Sequence, residues 1–368
     1  MLIIVGYLLF GLFFLRFLVL VVNYFSRPFL PEKTEEGEQP MISVLVPARN
    51  EEKNLQSLLV DLKAIDYPNF EVIVCNDQST DGSEALIQSF CADFPLLQYF
   101  NNEPLPEGWM GKNFACYQLA RRARGAYLLF IDADVRIRPS LLKRAVAYTQ
   151  RRKLNLLSMF PQQIIETAGE WKTVPVMNWI LLSFLPLPLV RLRWFSSLSA
   201  ANGQMMFFEA ASYREHQWHQ KLKSQAVEDI LIARNMKKQK LPIAVLLGND
   251  DMLCRMYRSY DEALEGFSRN VHQFFGGSRW WLFFFLLMVW GRLLFFLILA
   301  KFFLFFSSLI MLFLMKIMYS RLSRFPLAKS IRFHFQQMLA LTRMVRFNFS
   351  NRMKKQLRWK GRVYRVDN

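Results

Sequence analysis

The sequence predicts an α/β protein built on a parallel sheet, with one apolar span ahead of it and an apolar hairpin behind it. Three observations carry that reading. From Ile42 onward, short β-rich runs alternate with helical stripes, the pattern of βα units packed around a parallel sheet. Polar or acidic clusters follow three of the runs, at residues 49–51, 77–81 and 132–134, and ligands of such sheets sit beyond the carboxyl ends of the strands. The 368-residue chain also opens and closes on apolar blocks long enough for a bilayer, which needs about 20 residues per helix.

Residues 1–25 are almost entirely apolar, broken by Arg16 and Asn23. They have no basic n-region and no small-residue cleavage site, so they read as a transmembrane anchor and not as a cleaved leader. Arg16 is expected to snorkel toward a headgroup. A polar, acidic linker over 31–40 follows, and Ile42 to Pro47 reads as a buried strand. Leu55, Leu58, Leu59 and Leu62 form a helical stripe that Asp66-Tyr67-Pro68 stops. A second strand covers 71–75, a helix runs to Phe90, and another opens at Gly111-Lys112-Asn113.

The run from Tyr127 to Ile131 then delivers Asp132 and Asp134 at i and i+2. Side chains two apart on a strand point the same way, so both carboxylates can meet one hard cation. Oxygen ligands of this kind suit Mg2+ or Mn2+, which in turn hold a diphosphate. Further on, Ala201-Asn202-Gly203-Gln204 starts a turn and a strand to Phe208, and Val227-Glu228-Asp229 opens a helix to Lys237. Short strands are expected over 241–256. Residues 171–195 are too interrupted by proline and arginine to span a bilayer, and read either as an interfacial segment or as a buried helical subdomain.

The C-terminal apolar block, residues 280–319, is expected to be a two-helix hairpin turning near Ala300-Lys301. It carries Arg292, Lys301 and Lys316. A mid-span arginine facing lipid costs roughly 2.5–3.5 kcal/mol, so Arg292 is expected to face protein or headgroups. The remaining residues, 320–368, read as a basic cytoplasmic tail. Of the net charge of +18, about two-thirds lies in the last 48 residues, where 13 Lys or Arg meet one acid, Asp367. Basic residues on both flanks of the spans place the 41–270 domain and the tail in the cytoplasm of an inner-membrane protein, with the tail drawn to an anionic bilayer. The charge alone also fits a nucleic-acid binder, but the aromatic-rich apolar blocks do not, and no nucleic-acid partner is expected. Cys75, Cys91, Cys116 and Cys254 lack metal-ligand spacing and read as reduced packing residues. His216, His219, His272 and His334 read as surface or interface residues.

Taken together, VPARNEE (46–52), CNDQSTDGS (75–83), GWMGKNFACYQLA (108–120), FIDADV (130–135) and VEDILIARNMK (227–237) resemble the membrane-bound family 2 glycosyltransferases. CRMY (254–257), EGFSRN (265–270) and WKGRVY (359–364) are similar to the subgroup associated with carotenoid and hopanoid pathways. The resemblance implies a GT-A fold, a Rossmann-like nucleotide-sugar domain. It also implies inverting transfer of a hexosyl group from a nucleotide-diphosphate sugar to a membrane lipid, a carotenoid or other polyisoprenoid. Carried over by position, Pro47, Ala48, Glu51 and Asp77 would surround the base, and Lys112 would approach the nucleotide or its phosphates. Asp132 would hold the ribose side, Asp134 the divalent cation, and Asp229 would be the general base. Gly203, Gln204, Glu228, Arg269 and Arg279 are further acceptor or diphosphate contacts.

One departure matters. Processive polysaccharide synthases of the family carry a Gln-x-x-Arg-Trp box, and here five residues, Phe274 to Ser278, separate Gln273 from Arg279-Trp280. That favours single-sugar transfer over a polysaccharide or glycolipid synthase. A non-catalytic scaffold binding anionic lipid is the reading from another class. Under it Asp77 is a turn cap with Asp81-Gly82, Lys112 a solvated helix-start lysine, and Glu228-Asp229 a pair of dipole partners at a helix start.

Overall fold

The computed structural model describes residues 2–33, 37–269, 271, 301–353, 356–359 and 362–365, with single positions at 282, 285, 286, 290 and 296. The chain divides into two compact units. One comprises residues 28–162 and 187–255; the other comprises 1–27, 163–186 and 256–368.

The first unit holds a seven-stranded sheet among the described residues. In chain order the strands of this unit and its edge are β1 Ile42–Ala48, β2 Phe70–Asn76, β3 Leu97–Asn101, β4 Tyr127–Ile131, β5 Val135–Ile137, β6 Leu156–Phe160, β7 Gln162–Gln163, β8 Met205–Glu209, β9 Ile243–Leu247 and β10 Met252–Cys254. The sheet order is β3-β2-β1-β4-β8-β6-β9, while β5, β10 and β7 make a smaller sheet. Strand β2 is buried along its whole length, and β1 nearly so, as expected of strands covered on both faces. The helix Glu52–Lys63 buries the predicted stripe of Leu55, Leu58, Leu59 and Leu62.

The sheet is mixed, not wholly parallel. Strands β1, β2, β3 and β4 run parallel, but β8 runs antiparallel to both β4 and β6. This reversal has a direct consequence for the site. Register pairs Ile131, the last residue of β4, with Met205, the first of β8. The turn before β8 therefore lies beside the Asp-x-Asp segment that follows β4. A parallel strand there would have placed its trailing loop at that edge instead.

The second unit is helical. Leu2–Ser26 and Phe302–Ser323 are both long and apolar enough to cross a membrane. The second begins just after the expected turn; most of the first arm of the hairpin, including Arg292, lies outside the described residues. Arg16 does not snorkel. It is buried, donates to Ser183 Oγ at 2.8 Å, and places its guanidinium 4.4 Å from the Phe184 ring centre. A hydroxyl acceptor and aromatic faces offset part of the desolvation that a headgroup would otherwise have relieved.

Residues read as interfacial or subdomain form the helices Ala168–Thr173 and Pro175–Phe184. Thr167 and Glu170 close a capping box at the first of them. Trp171 and Trp179 are buried, whereas Trp194 and Phe195, in the other unit, are exposed. The basic segment also has structure, in the helices Leu327–Arg332 and His334–Met353 and the antiparallel pair β11 Gln356–Trp359 and β12 Arg362–Arg365. Ala340, Leu341 and Met344 are buried there, and Asn348 Nδ2 donates to Ser268 O at 2.6 Å.

Candidate functional site

The ends of β1, β2 and β4 share one edge. Asp77 N–H donates to Ala48 O at 2.7 Å, which closes the gap between the first two strands directly beneath the Arg49–Asn50 turn. Asn50 and Gln78 take left-handed backbone angles, φ 53° and 57°, and so turn both loops sharply as they leave the sheet. Arg49 Nη1 ties them together by donating to Asp77 O and Gln78 O at 2.6 and 3.0 Å. The Asp77 carboxylate is buried, and Oδ1 accepts from Asn102 Nδ2 at 3.0 Å. The turn cap is supplied by Asp81, which accepts from the N–H groups of Glu52 and Ser83. Pro47 and Ala48 stand on β1 opposite Cys75 and Asn76. Glu51 accepts from Asn54 at 2.9 Å through Oε2.

At the end of β4 a second group of side chains meets. Lys112 Nζ lies 2.8 Å from both carboxylate oxygens of Asp132, 3.8 Å from Glu228 Oε1, and donates to Gly203 O at 3.2 Å. It is not a solvated lysine. Burial works against its charge, but the carboxylates of Asp132 and Glu228 outweigh that and hold it well above the usual lysine range. Gly203 N–H donates to Asp229 Oδ2 at 3.0 Å, and Asp229 Oδ1 accepts from Ile230 N–H at 2.8 Å. Lys112, Asp132, Gly203, Glu228 and Asp229 therefore form one contiguous cluster drawn from four chain segments.

Gly203 sits at its centre. A Cβ at this position would lie 3.0 Å from Lys112 Nζ, 3.5 Å from Glu228 Oε1 and 3.6 Å from Asp229 Oδ2. Gly203→Ala must push the ammonium off Asp132 by a few tenths of an ångström. We expect it to lower kcat by about tenfold or more, since small misplacements in such sites are costly, with thermal stability close to wild type. Steady-state kinetics beside a melting curve test this.

Asp134 lies next to Gln204, whose amide reaches its two oxygens at 3.4 and 3.5 Å and Cys254 Sγ at 2.9 Å. Burial, reinforced by the nearby carboxylates of Asp132 and Glu51, pushes Asp134 up to about 6. Burial also pushes Glu228 up to about 7, with Asp229 adding to it against Lys112, and it raises Asp229 as well. The donor set of Asp134 and Asp132 is all oxygen. Oxygen donors suit a Mg2+ or Mn2+ ion, which is typically held by one or two carboxylates together with substrate phosphates; among the described residues no three metal-ligating side chains converge.

Of the remaining candidates, Arg269 belongs to the helical unit, where it pairs with Glu265 at 2.9 Å, and Arg279 lies outside the described residues, as does Gln273. Sequence reasoning passed over Asn113. Its Nδ2 donates to the carbonyls of Leu222, Lys223 and Gln225 at 2.8, 3.3 and 2.9 Å, pinning the segment that leads into Glu228-Asp229. Asn113→Ala strands those carbonyls. We expect a loss of about 1–3 kcal/mol in stability and a fall in kcat, read by denaturant melts and kinetics. Sequence reasoning also passed over Asn102, which follows β3 directly. The surface reading of the histidines fails for His219, which is buried with Nδ1 2.7 Å from Tyr213 Oη; burial pushes it down to about 3, so it is a neutral packing residue.

Residues 43–216 match the profile of glycosyl transferase family 2. The chain thus contains a stretch, just under half its length, that matches a family 2 glycosyltransferase domain. The Glu228-Asp229 pair lies just beyond the matched stretch of that domain. Among curated proteins, the chain is similar to 4,4'-diaponeurosporenoate glycosyltransferases. One, from Staphylococcus haemolyticus (strain JCSC1435), is 27% identical over 250 residues, 65% of this chain and 64% of that protein. Another, from Staphylococcus aureus (strain MRSA252), is 27% identical over 262 residues, 68% of this chain and 66% of that protein. The chain thus spans slightly under two-thirds of the length of these relatives. Among solved structures, a mannosyltransferase from Pyrobaculum calidifontis in complex with GDP-Man and Mn2+ superposes with a TM-score of 0.57 at 15% identity. The match covers 95% of this chain and 99% of that one. This likeness shows that the glycosyltransferase domain has the GT-A fold.

Proposed function

We propose that this protein is an inverting hexosyltransferase, moving a sugar from a nucleotide-diphosphate donor to a membrane lipid, a carotenoid or other polyisoprenoid, on the cytoplasmic face of the inner membrane. The observation that carries it is the cluster around Gly203, where Lys112, Asp132, Glu228 and Asp229 meet at one sheet edge. In this reading Pro47, Ala48, Glu51 and Asp77 receive the base, and Asp132 the ribose side. Asp134 would hold a Mg2+ or Mn2+ ion, which when bound offsets the charge growing on the departing diphosphate. Lys112 adds a fixed positive charge to the same edge. Asp229, its proton affinity raised by burial, accepts the proton of the acceptor hydroxyl as oxygen attacks the anomeric carbon. The carbon–oxygen bond to the diphosphate breaks on the opposite face, so configuration inverts.

The two apolar helices and the names of the curated relatives support a membrane lipid acceptor. The experiment is donor turnover. Purified protein with Mn2+ should hydrolyse a nucleotide sugar slowly without acceptor and faster with lipid. A protein that binds anionic vesicles yet neither binds nor hydrolyses any nucleotide sugar would be the scaffold instead. Because Asp134 sits near 6, protons compete with the cation as pH falls through that value. The Mn2+ concentration giving half-maximal rate should therefore rise below about pH 6 and stay flat above pH 7, as a metal titration at several pH values would show.

A further inference from the structure

One loop of the sheet-bearing unit exposes large apolar side chains that the transfer reaction does not use. It follows the short helix Leu187–Arg191 and runs on through the buried Ala200 and Ala201 to Gly203. Trp194 is 75% exposed and Phe195 56%, and Leu189 and Leu192 are exposed as well. Single exposed apolar residues are ordinary, but several large ones on one short loop mark an interaction surface. The loop is also held in place. Leu198 N–H donates to Phe195 O at 3.1 Å, and Ser199 Oγ to Ser196 O at 2.8 Å. Lys237 Nζ donates to Leu198 O at 2.6 Å, and Lys240 Nζ lies 5.2 Å from the centre of the Trp194 ring. The two aromatic rings therefore stand on a preorganised loop, which loses little freedom on docking.

Charge decides what such a surface meets. Arg191 and Arg193 alternate with Leu192 and Trp194, Lys240 adjoins the Trp194 ring, and no Asp or Glu occurs between Glu170 and Glu209. Trp, Phe and Leu rimmed by arginine and lysine, with no acid among them, suit a membrane interface. There indole rings sit at headgroup level and cations meet anionic lipid. An apolar protein patch would cover the rings but offer Arg191, Arg193 and Lys240 no counter-charge. The chain also carries two helices long and apolar enough to cross a membrane, so a leaflet is the apolar phase within its reach.

We infer that residues 189–195 form a seat on the surface of an anionic leaflet. Trp194 and Phe195 enter the boundary between headgroups and acyl chains, and Arg191, Arg193 and Lys240 lie on lipid phosphates. The partner is the bilayer surface and not the acceptor molecule, and the seat is a different part of the chain from the basic segment 320–368. It holds the Gly203 turn, a few residues further along the chain, close to the membrane plane. The inference concerns how the sheet-bearing unit docks, and it stands whether or not the chain transfers a sugar.

The test places a nitroxide beside the seat in full-length protein. Ser197 is exposed and lies just past Phe195. Ser197→Cys, made together with Cys91→Ser because the other cysteines are buried, carries the label and leaves Trp194 and Phe195 intact. Oxygen and nickel-chelate accessibility then give its depth in phosphatidylcholine nanodiscs with and without phosphatidylglycerol. With phosphatidylglycerol the label should sit about 5–10 Å below the lipid phosphates. A label introduced by Arg151→Cys, at an exposed position of the helix Leu141–Arg152, should stay in water. Trp194→Ser with Phe195→Ser should return the Ser197 label to water, and Arg191→Gln with Arg193→Gln should make it shallower. Nickel accessibility at Ser197→Cys equal to that at Arg151→Cys, or a depth that the Trp194 and Phe195 substitutions leave unchanged, would overturn the seat. Equal depth with and without phosphatidylglycerol would overturn the anionic assignment. Dipolar broadening between labels of two copies in one disc would overturn it in favour of self-association.

Discussion

Asp229→Asn should reduce sugar transfer by roughly 10²–10⁴-fold, the typical contribution of a positioned general base, while leaving nucleotide-sugar affinity near wild type. The substitution is close to isosteric. Its amide oxygen can still accept from Gly203 N–H, the contact made now at 3.0 Å, so the turn ahead of β8 should keep its shape. What is lost is the ability to hold a proton. Glu228 stands next to it in sequence, but adjacent helical side chains diverge, and Glu228 already faces Lys112 at 3.8 Å. A substitute base from that position is therefore not expected. Single-turnover kinetics with donor binding measured separately distinguish the two effects: a mutant that transfers at the wild-type rate would remove Asp229 from the reaction.

Asp134→Asn should be the second large loss, at least about 10²-fold in turnover, because a bound divalent ion contributes several kcal/mol to a developing phosphate charge. Its signature differs from that of Asp229→Asn. Affinity for the nucleotide diphosphate should fall together with turnover, and raising Mn2+ should recover part of the activity. The replacement also removes a buried carboxylate crowded by Asp132 and Glu51, so the apoprotein should become no less stable and even slightly more so. Melting curves with and without Mn2+ read that sign: the wild type should gain stability on adding the ion, and the variant should gain little.

Much of the glycosyltransferase domain was legible because its signals are local. Apolar runs closed by Asp77 and by Asp132-x-Asp134 mark strand ends whatever lies far away in sequence, and the helices Glu52–Lys63 and Gly111–Arg122 follow from stripe and stop signals. The sense of β8 was not legible. Nothing in Met205 to Glu209 says whether it pairs parallel or antiparallel; that is set by its ladders with β4 and β6, beside which Asp132 N–H meets Gln204 O at 3.2 Å across 72 positions. Yet this pairing brings Gly203 to Lys112 and Asp229.

Asn113 illustrates a related blindness. A helix-start asparagine reads as ordinary, and only the fold shows that its amide holds a loop more than a hundred residues away. In the helical unit the basic residues of 327–353 concealed an apolar stripe, Leu341, Met344 and Val345, that packs like any core. Arg16 was misread for the opposite reason. A lone arginine in an apolar run normally escapes to the interface, and its acceptor, Ser183, belongs to a segment with no sequence signal linking it to the first helix.

The most direct measurement is product analysis. Purified protein in lipid would be offered Mn2+, a panel of nucleotide sugars, and polyprenol and carotenoid-acid acceptors, with Asp229→Asn run in parallel. The account predicts a single-sugar glycolipid whose anomeric configuration is inverted relative to the donor, formed only with the divalent ion and absent from the variant. A product of retained configuration, or one made equally well by Asp229→Asn, would contradict it.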